Sequence, residues 1–347
     1  MKKALMFFFL ILGVAAARAD EPLSFKGKTI SVIIASSAGG GTDLSGRLIA
    51  NFIASHLPGK PTVVVRNMPG AQGITALNYF IKQVAADGLT LTVAASSQAD
   101  PMMYRAANAV YDPAQFLVIG GVGRGGTVLL INKDAEARLY DKTKPPVVMG
   151  SLNGIPRTGM LATAWGIAAL GWNARWVIGY PGTNELMIAL ERGEIDMTST
   201  ANLFQVKKLV EGGNFSILTQ SGALKNGRLI PRADFGNAPI VSDVMEGKLT
   251  DPLDAKAYDY TVSLTALDKW IALPPNSPKE YVDAYRQAFN AAFTDPEFAE
   301  LGKKVSEEFV PMSHEDVELL VGKLAATPPE AIAHLLSMLR QQGLQTE

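Results

Sequence analysis

Through the first half of the chain, short apolar runs rich in β-branched residues alternate with runs whose apolar positions recur every three or four residues. Thr29 to Ser36, Thr62 to Arg66 and Leu89 to Ala95 read as buried strands, with Leu44 to Leu57 and Ile74 to Val84 as the helices between them. That alternation predicts an α/β fold. Phe116 to Val122 and Thr127 to Asn132 read as two more strands flanking Gly120-Gly121-Val122-Gly123-Arg124-Gly125-Gly126, where a crossing between two domains is expected. Strand and helix patterns resume in Pro145 to Gly150, Gly159 to Leu170, Arg175 to Gly179, Asn184 to Arg192 and Asp196 to Thr198, which predicts a second sheet left through Phe215 to Gln220. From about Ala223 to Gln342 the pattern is helical with proline in the loops, and these helices are expected to cover the first sheet. Tyr281, Tyr285, Phe289 and Phe293, four apart, form a stripe that reads as core.

Two of the strand-to-helix junctions are glycine-rich. Gly39, Gly40, Gly41, Thr42 and Asp43 join the first strand to its helix; Gly70, Ala71, Gln72 and Gly73 join the second. Glycine lets backbone N–H groups approach a small ligand, and the helix N-terminus behind supplies unpaired donors and partial positive charge. Entered from consecutive parallel strands, the two turns are expected side by side at the carboxyl ends, where open α/β sheets bind ligands. The alternative is that glycine serves only tight strand-to-helix geometry. The first turn lacks the Lys-Ser/Thr of a phosphate-binding loop, and Leu44 stands where a dinucleotide fingerprint needs glycine, so nucleotide binding is not expected.

Lys2-Lys3, the apolar run from Ala4 and the small residues of Ala17-Arg18-Ala19 form a signal-peptide pattern with cleavage after Ala19. The expectation is a periplasmic protein, not embedded in a membrane and monomeric. Cysteine is absent, which excludes disulfides and thiolate metal sites. The formal net charge of −1 offers no field to gather nucleic acid. The histidines, His56, His314 and His334, fall in helical contexts away from the glycine turns, and no His-Glu-x-x-His or Gly-x-Ser-x-Gly segment occurs. No metal, cofactor or catalytic residue is assigned.

Ser31-Val-Ile-Ile-Ala-Ser-Ser-Ala-Gly-Gly-Gly-Thr-Asp43, Val63-Val-Val-Arg-Asn-Met-Pro-Gly-Ala-Gln-Gly73 and Ala86-Asp-Gly-Leu-Thr-Leu91 together resemble the opening of the tripartite tricarboxylate transporter receptors, the Bug proteins. Gly179-Tyr-Pro-Gly-Thr183, Leu190-Glu-Arg-Gly-Glu-Ile-Asp196 and Trp270-Ile-Ala-Leu-Pro-Pro-Asn-Ser-Pro278 extend the likeness along the chain. The resemblance implies a two-lobed periplasmic binding protein, type II-like, each lobe a mostly parallel sheet flanked by helices, with a small organic acid in the interlobe cleft and delivery to membrane permease subunits. It implies no catalysis. It further implies that the first lobe holds the proximal carboxylate with Gly39 to Asp43, Gly70 to Gly73, and Ser96, Ser97 and Gln98. The facing contacts would be Asn153, Arg157, Thr158, Tyr180, Gly182 and Thr183. Where the family often carries a glycine-serine segment with a histidine, this chain has Asn153-Gly-Ile-Pro-Arg-Thr158, so the identity of the acid does not transfer.

Arg157 is the candidate partner for a distal carboxylate, because a guanidinium fork matches one bidentately; the alternative is a loop cap. Asp43 suits an anion site poorly and is expected to accept N–H bonds from its own turn. Ser96, Ser97 and Gln98 offer neutral donors or merely close their turn. The expected layout is a first lobe of residues 20–119 plus 223–347 and a second of 120–222. Two rival readings are a periplasmic enzyme using the turns as an oxyanion site, and a ligand receptor for a sensor kinase.

Overall fold

The computed structural model describes residues 23–124, 126–151, 159–180, 183–305 and 309–344. Its first part alternates as the sequence predicts: β1 (Thr29–Ile34), α1 (Gly41–His56), β2 (Thr62–Asn67), α2 (Ile74–Gln83), β3 (Thr90–Ala95), a short α3 (Pro101–Tyr104) and β4 (Leu117–Arg124). The middle part holds β5 (Val128–Asn132), α4 (Lys133–Leu139), β6 (Val147–Ser151), α5 (Met160–Ala169), β7 (Ala174–Ile178), α6 (Thr183–Glu191), β8 (Met197–Thr200), α7 (Leu203–Glu211) and β9 (Phe215–Gln220). A hairpin follows, β10 (Ala223–Lys225) and β11 (Arg228–Ile230), then α8 (Val241–Met245), α9 (Pro252–Ala266), β12 (Leu267–Leu273), α10 (Lys279–Phe293), α11 (Pro296–Val305), β13 (Phe309–Met312), α12 (His314–Ala326) and α13 (Pro329–Gln341).

Two helix-flanked sheets result, an α/β architecture of two lobes. The first sheet runs β13-β4-β12-β3-β1-β2 and the second β7-β6-β8-β5-β9. Both are mixed, not mostly parallel. Among the described strands, parallel pairing joins β1 with β2 and β3, and β6 with β7 and β8, the strands linked by crossover helices. The rest of each sheet is antiparallel: β12 and β13 return from the C-terminal region beside β4, and β5 and β9 carry the chain into and out of the second sheet.

Period-two burial fixes the layers. Ile30, Val32 and Ile34 of β1 face one core with Tyr285 and Phe289 of α10, while Ile33 and Ala35 face the other with Leu77 and Phe80 of α2. The aromatic stripe thus packs in the core, with Phe25 edge-on to Tyr281 and Tyr285 at 5.4 Å. In the second lobe, Val128 and Leu130 face α6 and α7, whereas Leu129 and Ile131 face α4 and Trp172. Helix starts follow local chemistry: Asp251 accepts the Leu253 N–H ahead of Pro252 in α9, and Ser313 accepts the Asp316 N–H in α12.

The chain crosses to the second sheet at the far end of the glycine cluster, between Arg124 and Val128. β4 continues through it to Arg124 in the first sheet, beyond the expected boundary at 119/120. Glycine stands there because neighbours press on the strand: a Cβ on Gly120 would lie 2.2 Å from the Phe289 ring, and one on Gly121 would lie 2.6 Å from the Lys269 carbonyl oxygen. The return is not a single step at 223. The Asn226–Gly227 hairpin tip, both residues at positive φ, donates its N–H groups to the Asp316 carboxylate of α12 at 3.0 and 2.6 Å. Phe235 then inserts into the core of the second sheet before α8 rejoins the first lobe.

The lobes also share a packed seam. Leu161, Ala162 and Trp165 of α5 join the core formed by α9 and α13, and the Trp165 indole N–H donates to the Thr261 hydroxyl at 3.3 Å. Gln342, just past α13, donates to the Ala164 carbonyl and accepts from the Trp176 indole.

Candidate functional site

Because β2, β1 and β3 are parallel neighbours, the three turns that leave them lie at one edge of the first sheet. The register pairs Ile34 with Asn67 and with Val93, so the turns start at the same height.

In the first turn, Gly39 takes φ 81°, which only glycine adopts readily, and α1 starts at Gly41 behind an N-cap, Gly40, that has no side chain to offer. The N–H groups of the first helical turn therefore receive no side-chain cap. Asp43 is buried and faces its own turn: one oxygen accepts the Gly39 N–H at 2.8 Å. The other accepts from Arg47 Nε at 2.9 Å and from Asn67 Nδ2 at 2.8 Å. Asn67 also donates to the Ser36 carbonyl, and its own carbonyl accepts from Arg47 Nη2 at 2.8 Å, which ties the end of β2 to the first turn. Burial pushes the Asp43 carboxyl up, but the Gly39 N–H, the Asn67 amide and the Arg47 guanidinium together outweigh it and hold its pKa below the ordinary value.

The second turn is built differently. Gly70, Ala71, Gln72 and Gly73 take φ of 125°, 44°, 53° and 98°, four consecutive residues on the left-handed side. The Gly73 N–H closes the turn onto the Gly70 carbonyl at 2.9 Å, and α2 starts behind Gly73 without a side-chain cap. Ala71 and Gln72 are exposed.

The third turn, Ser96–Ala99, contributes less open chemistry. Ser96 and Gln98 are buried. Gln98 Oε1 accepts the Ala95 N–H at 2.7 Å, while Nε2 donates to the Gln72 carbonyl at 2.5 Å and to Ser97 Oγ at 2.8 Å. The Gln98 amide is thus committed to backbone and to its neighbour.

On the second lobe, Asn153, Arg157, Thr158 and Gly182 lie outside the described residues. Half-buried Tyr180 packs on the second-sheet core, and burial pushes its phenol pKa up. Its N–H and that of Gly179 donate to the Ser151 carbonyl at the end of β6, and Thr183 opens α6. A cavity of about 40 Å³ lies elsewhere, lined by Thr127, Trp165, Ser221, Tyr258 and Thr261 where the lobes meet. It has room for a water or two, not for an organic acid.

Catalytic partners do not gather at the turns among the described residues. Ser36 Oγ turns to the neighbouring Ser37 carbonyl. His56 ends α1, about 22 Å along the helix from Gly41. His334 pairs with Asp254 at 2.6 Å between α13 and α9, and His314 sits at the start of α12 beside Glu315. No helix among the described residues is long and apolar enough to cross a membrane.

Sequence reasoning passed over Arg47 and Asn67. Arg47 was legible as the residue four after Asp43 on one helix face. Asn67 carried no local signal, since its partners come from another strand and helix.

Comparison with known proteins gives three findings. Residues 46–244, more than half of the chain, match the model of the tripartite tricarboxylate transporter family receptor. No curated protein matches the chain by sequence. Among solved structures, a TctC solute-binding protein from Polaromonas without ligand is similar, with TM-score 0.66 and 16% identity over 92% of this chain and 100% of that one. An R. palustris protein with adipate has TM-score 0.51 and 21% identity over 91% of this chain and 97% of that one.

Proposed function

This chain belongs to the tripartite tricarboxylate transporter receptor family, and we propose that it is an exported receptor that captures a small organic carboxylate between its lobes and delivers it to a membrane permease. The observation that carries this reading is the pair of uncapped turns side by side at the ends of β1 and β2. Their backbone donors suit a carboxylate, and the nearest acid, Asp43, is turned away into a network that includes Arg47. In this reading Gly41, Thr42, Ala71 and Gln72 offer N–H groups to the proximal carboxylate, and Ser97 borders them. Gln98 acts behind the ligand. Arg157 supplies the fork for a distal acid, with Asn153, Thr158, Tyr180, Gly182 and Thr183 around it. Ligand binding selects the closed arrangement of the lobes, and the permease reads that shape. Among the described residues, Ser36 Oγ bonds to the Ser37 carbonyl and Ser97 Oγ accepts from Gln98, neither engaging a general base, which favours this over hydrolysis.

The test is a thermal-shift screen of the mature protein against mono-, di- and tricarboxylates, adipate included. A carboxylate in hundredfold excess over its Kd adds about 2.7 kcal/mol to stability, readily seen as a rise in Tm. Turnover of any panel member, or no shift with all of them, would contradict the reading.

A further inference from the structure

The second turn combines two features that do not sustain each other. Ala71 and Gln72 have Cβ atoms yet sit at φ 44° and 53°, a region disfavoured for residues other than glycine. They are also exposed, so no surrounding core presses them there. Such strain persists only when the surroundings over-determine it.

One side chain supplies that constraint. Gln98 is 3% exposed, and its amide uses both ends. Oε1 accepts the Ala95 N–H at the end of β3, and Nε2 donates to the Gln72 carbonyl at 2.5 Å. The side chain lies flat on Gly73: a Cβ at that position would fall 2.7 Å from Nε2 and 2.8 Å from Cδ. A side chain at position 73 would therefore have to displace the Gln98 amide, and through that amide the Gln72 carbonyl is anchored to the end of a central strand.

We propose that Gln98 is a positioning residue for ligand capture, holding the second turn in its left-handed shape before any ligand arrives. Pre-organisation of this kind spares binding the cost of ordering the turn. The purpose assigned to the turn rests on the receptor reading. The brace itself is tested without ligand, so failure of the brace and failure of the carboxylate screen are separate results.

The measurement is amide hydrogen exchange on ligand-free protein at Gly73 and Ile74, whose N–H groups close the turn onto Gly70 and Ala71. The Ala35 amide, bonded to Val93 in the sheet, is the control. Gln98→Met fills the same space and makes neither bond. It is expected to raise exchange at 73 and 74 at least tenfold and leave Ala35 within twofold. Adding Gln72→Gly, which removes the steric objection to positive φ, is expected to bring exchange back to within threefold of wild type. If Gln98→Met does not fold, Gln98→Asn carries the same expectations, being too short to span Ala95 and Gln72 together. Unchanged exchange at 73 and 74, or no rescue by Gln72→Gly, would overturn the proposal, since a side chain that merely fills the core would not respond to a change in the strain at position 72.

Discussion

The two glycine turns end neighbouring parallel strands and present uncapped helix starts, yet they are stabilised by opposite means. The first needs glycine only at Gly39, runs straight into a right-handed helix, and is fixed by an ionic cluster of Asp43, Arg47 and Asn67. The second winds left-handed through four residues and is fixed by the neutral amide of Gln98. Similar sequence signatures thus hide different physics. One turn answers to charge and acid; the other answers to steric strain and to a single uncharged contact.

The largest effect is expected from Asp43→Ala. It removes three hydrogen bonds to a buried carboxylate and leaves the Gly39 N–H and the Asn67 amide without that partner. Bonds to charged groups contribute about 1.5–3 kcal/mol each, but Arg47 is half exposed and screened, so the net loss is about 3 kcal/mol in denaturant unfolding. Gly73→Ala comes next, at about 2 kcal/mol, because it combines positive φ with displacement of Gln98. Its exchange signature should fall on the second turn and spare the first.

Acid should separate the turns. The Asp43 pKa is depressed from its ordinary 3.8 in the folded protein. Its contribution is therefore fully present above about pH 4 and is lost as pH falls through the lower folded value. Exchange at Gly39, corrected for intrinsic rate, should rise in that window and exchange at Gly73 should not. Asp43→Asn should abolish the difference. Equal acid sensitivity of both turns would break the contrast.

The smallest change in stability is expected at Gly40. Its φ of −79° is open to any residue and a Cβ there would meet only the Ser37 carbonyl oxygen, at 3.7 Å. The requirement for glycine lies at Gly39 instead, and a bulky residue at Gly40 does not strain the backbone. Gly40→Ser should raise stability by a few tenths of a kcal/mol through N-capping. The same hydroxyl would occupy first-turn N–H groups assigned to the ligand, so carboxylate affinity should fall while Tm does not.

Much of the fold was legible from period alone. The strands from Thr29 to Gln220, and the helices α1, α2, α5 and α6 between them, were read close to their observed bounds, because each is a local apolar pattern; the shorter α3, α4 and α7 were not given bounds. β12 was not, although it lies between β3 and β4 at the centre of the first sheet. Leu267 to Leu273 follows directly on the helical pattern of α9, and only pairing with distant strands makes it extended. The glycines of β4 drew the expected boundary too early for a related reason: they mark close approach of Phe289 and Lys269, residues far away in sequence. At the site, residue types and turn positions could be read, and so could the inward role of Asp43. The division of labour between Gly39 and Gly40 depends on φ angles, and the commitment of Gln98 depends on the carbonyl of a residue 26 positions away.

The central claim, that a carboxylate sits on both turns at once, is tested most directly by mapping backbone amide chemical shifts as a carboxylate found in the screen is titrated in. The largest shifts should fall at Gly41, Thr42, Ala71 and Gln72, with smaller ones at Tyr180 if the second lobe closes on the ligand as proposed. Shifts confined to one turn, or centred on the exposed groove between Met187 and Leu209 on α6 and α7, would contradict it.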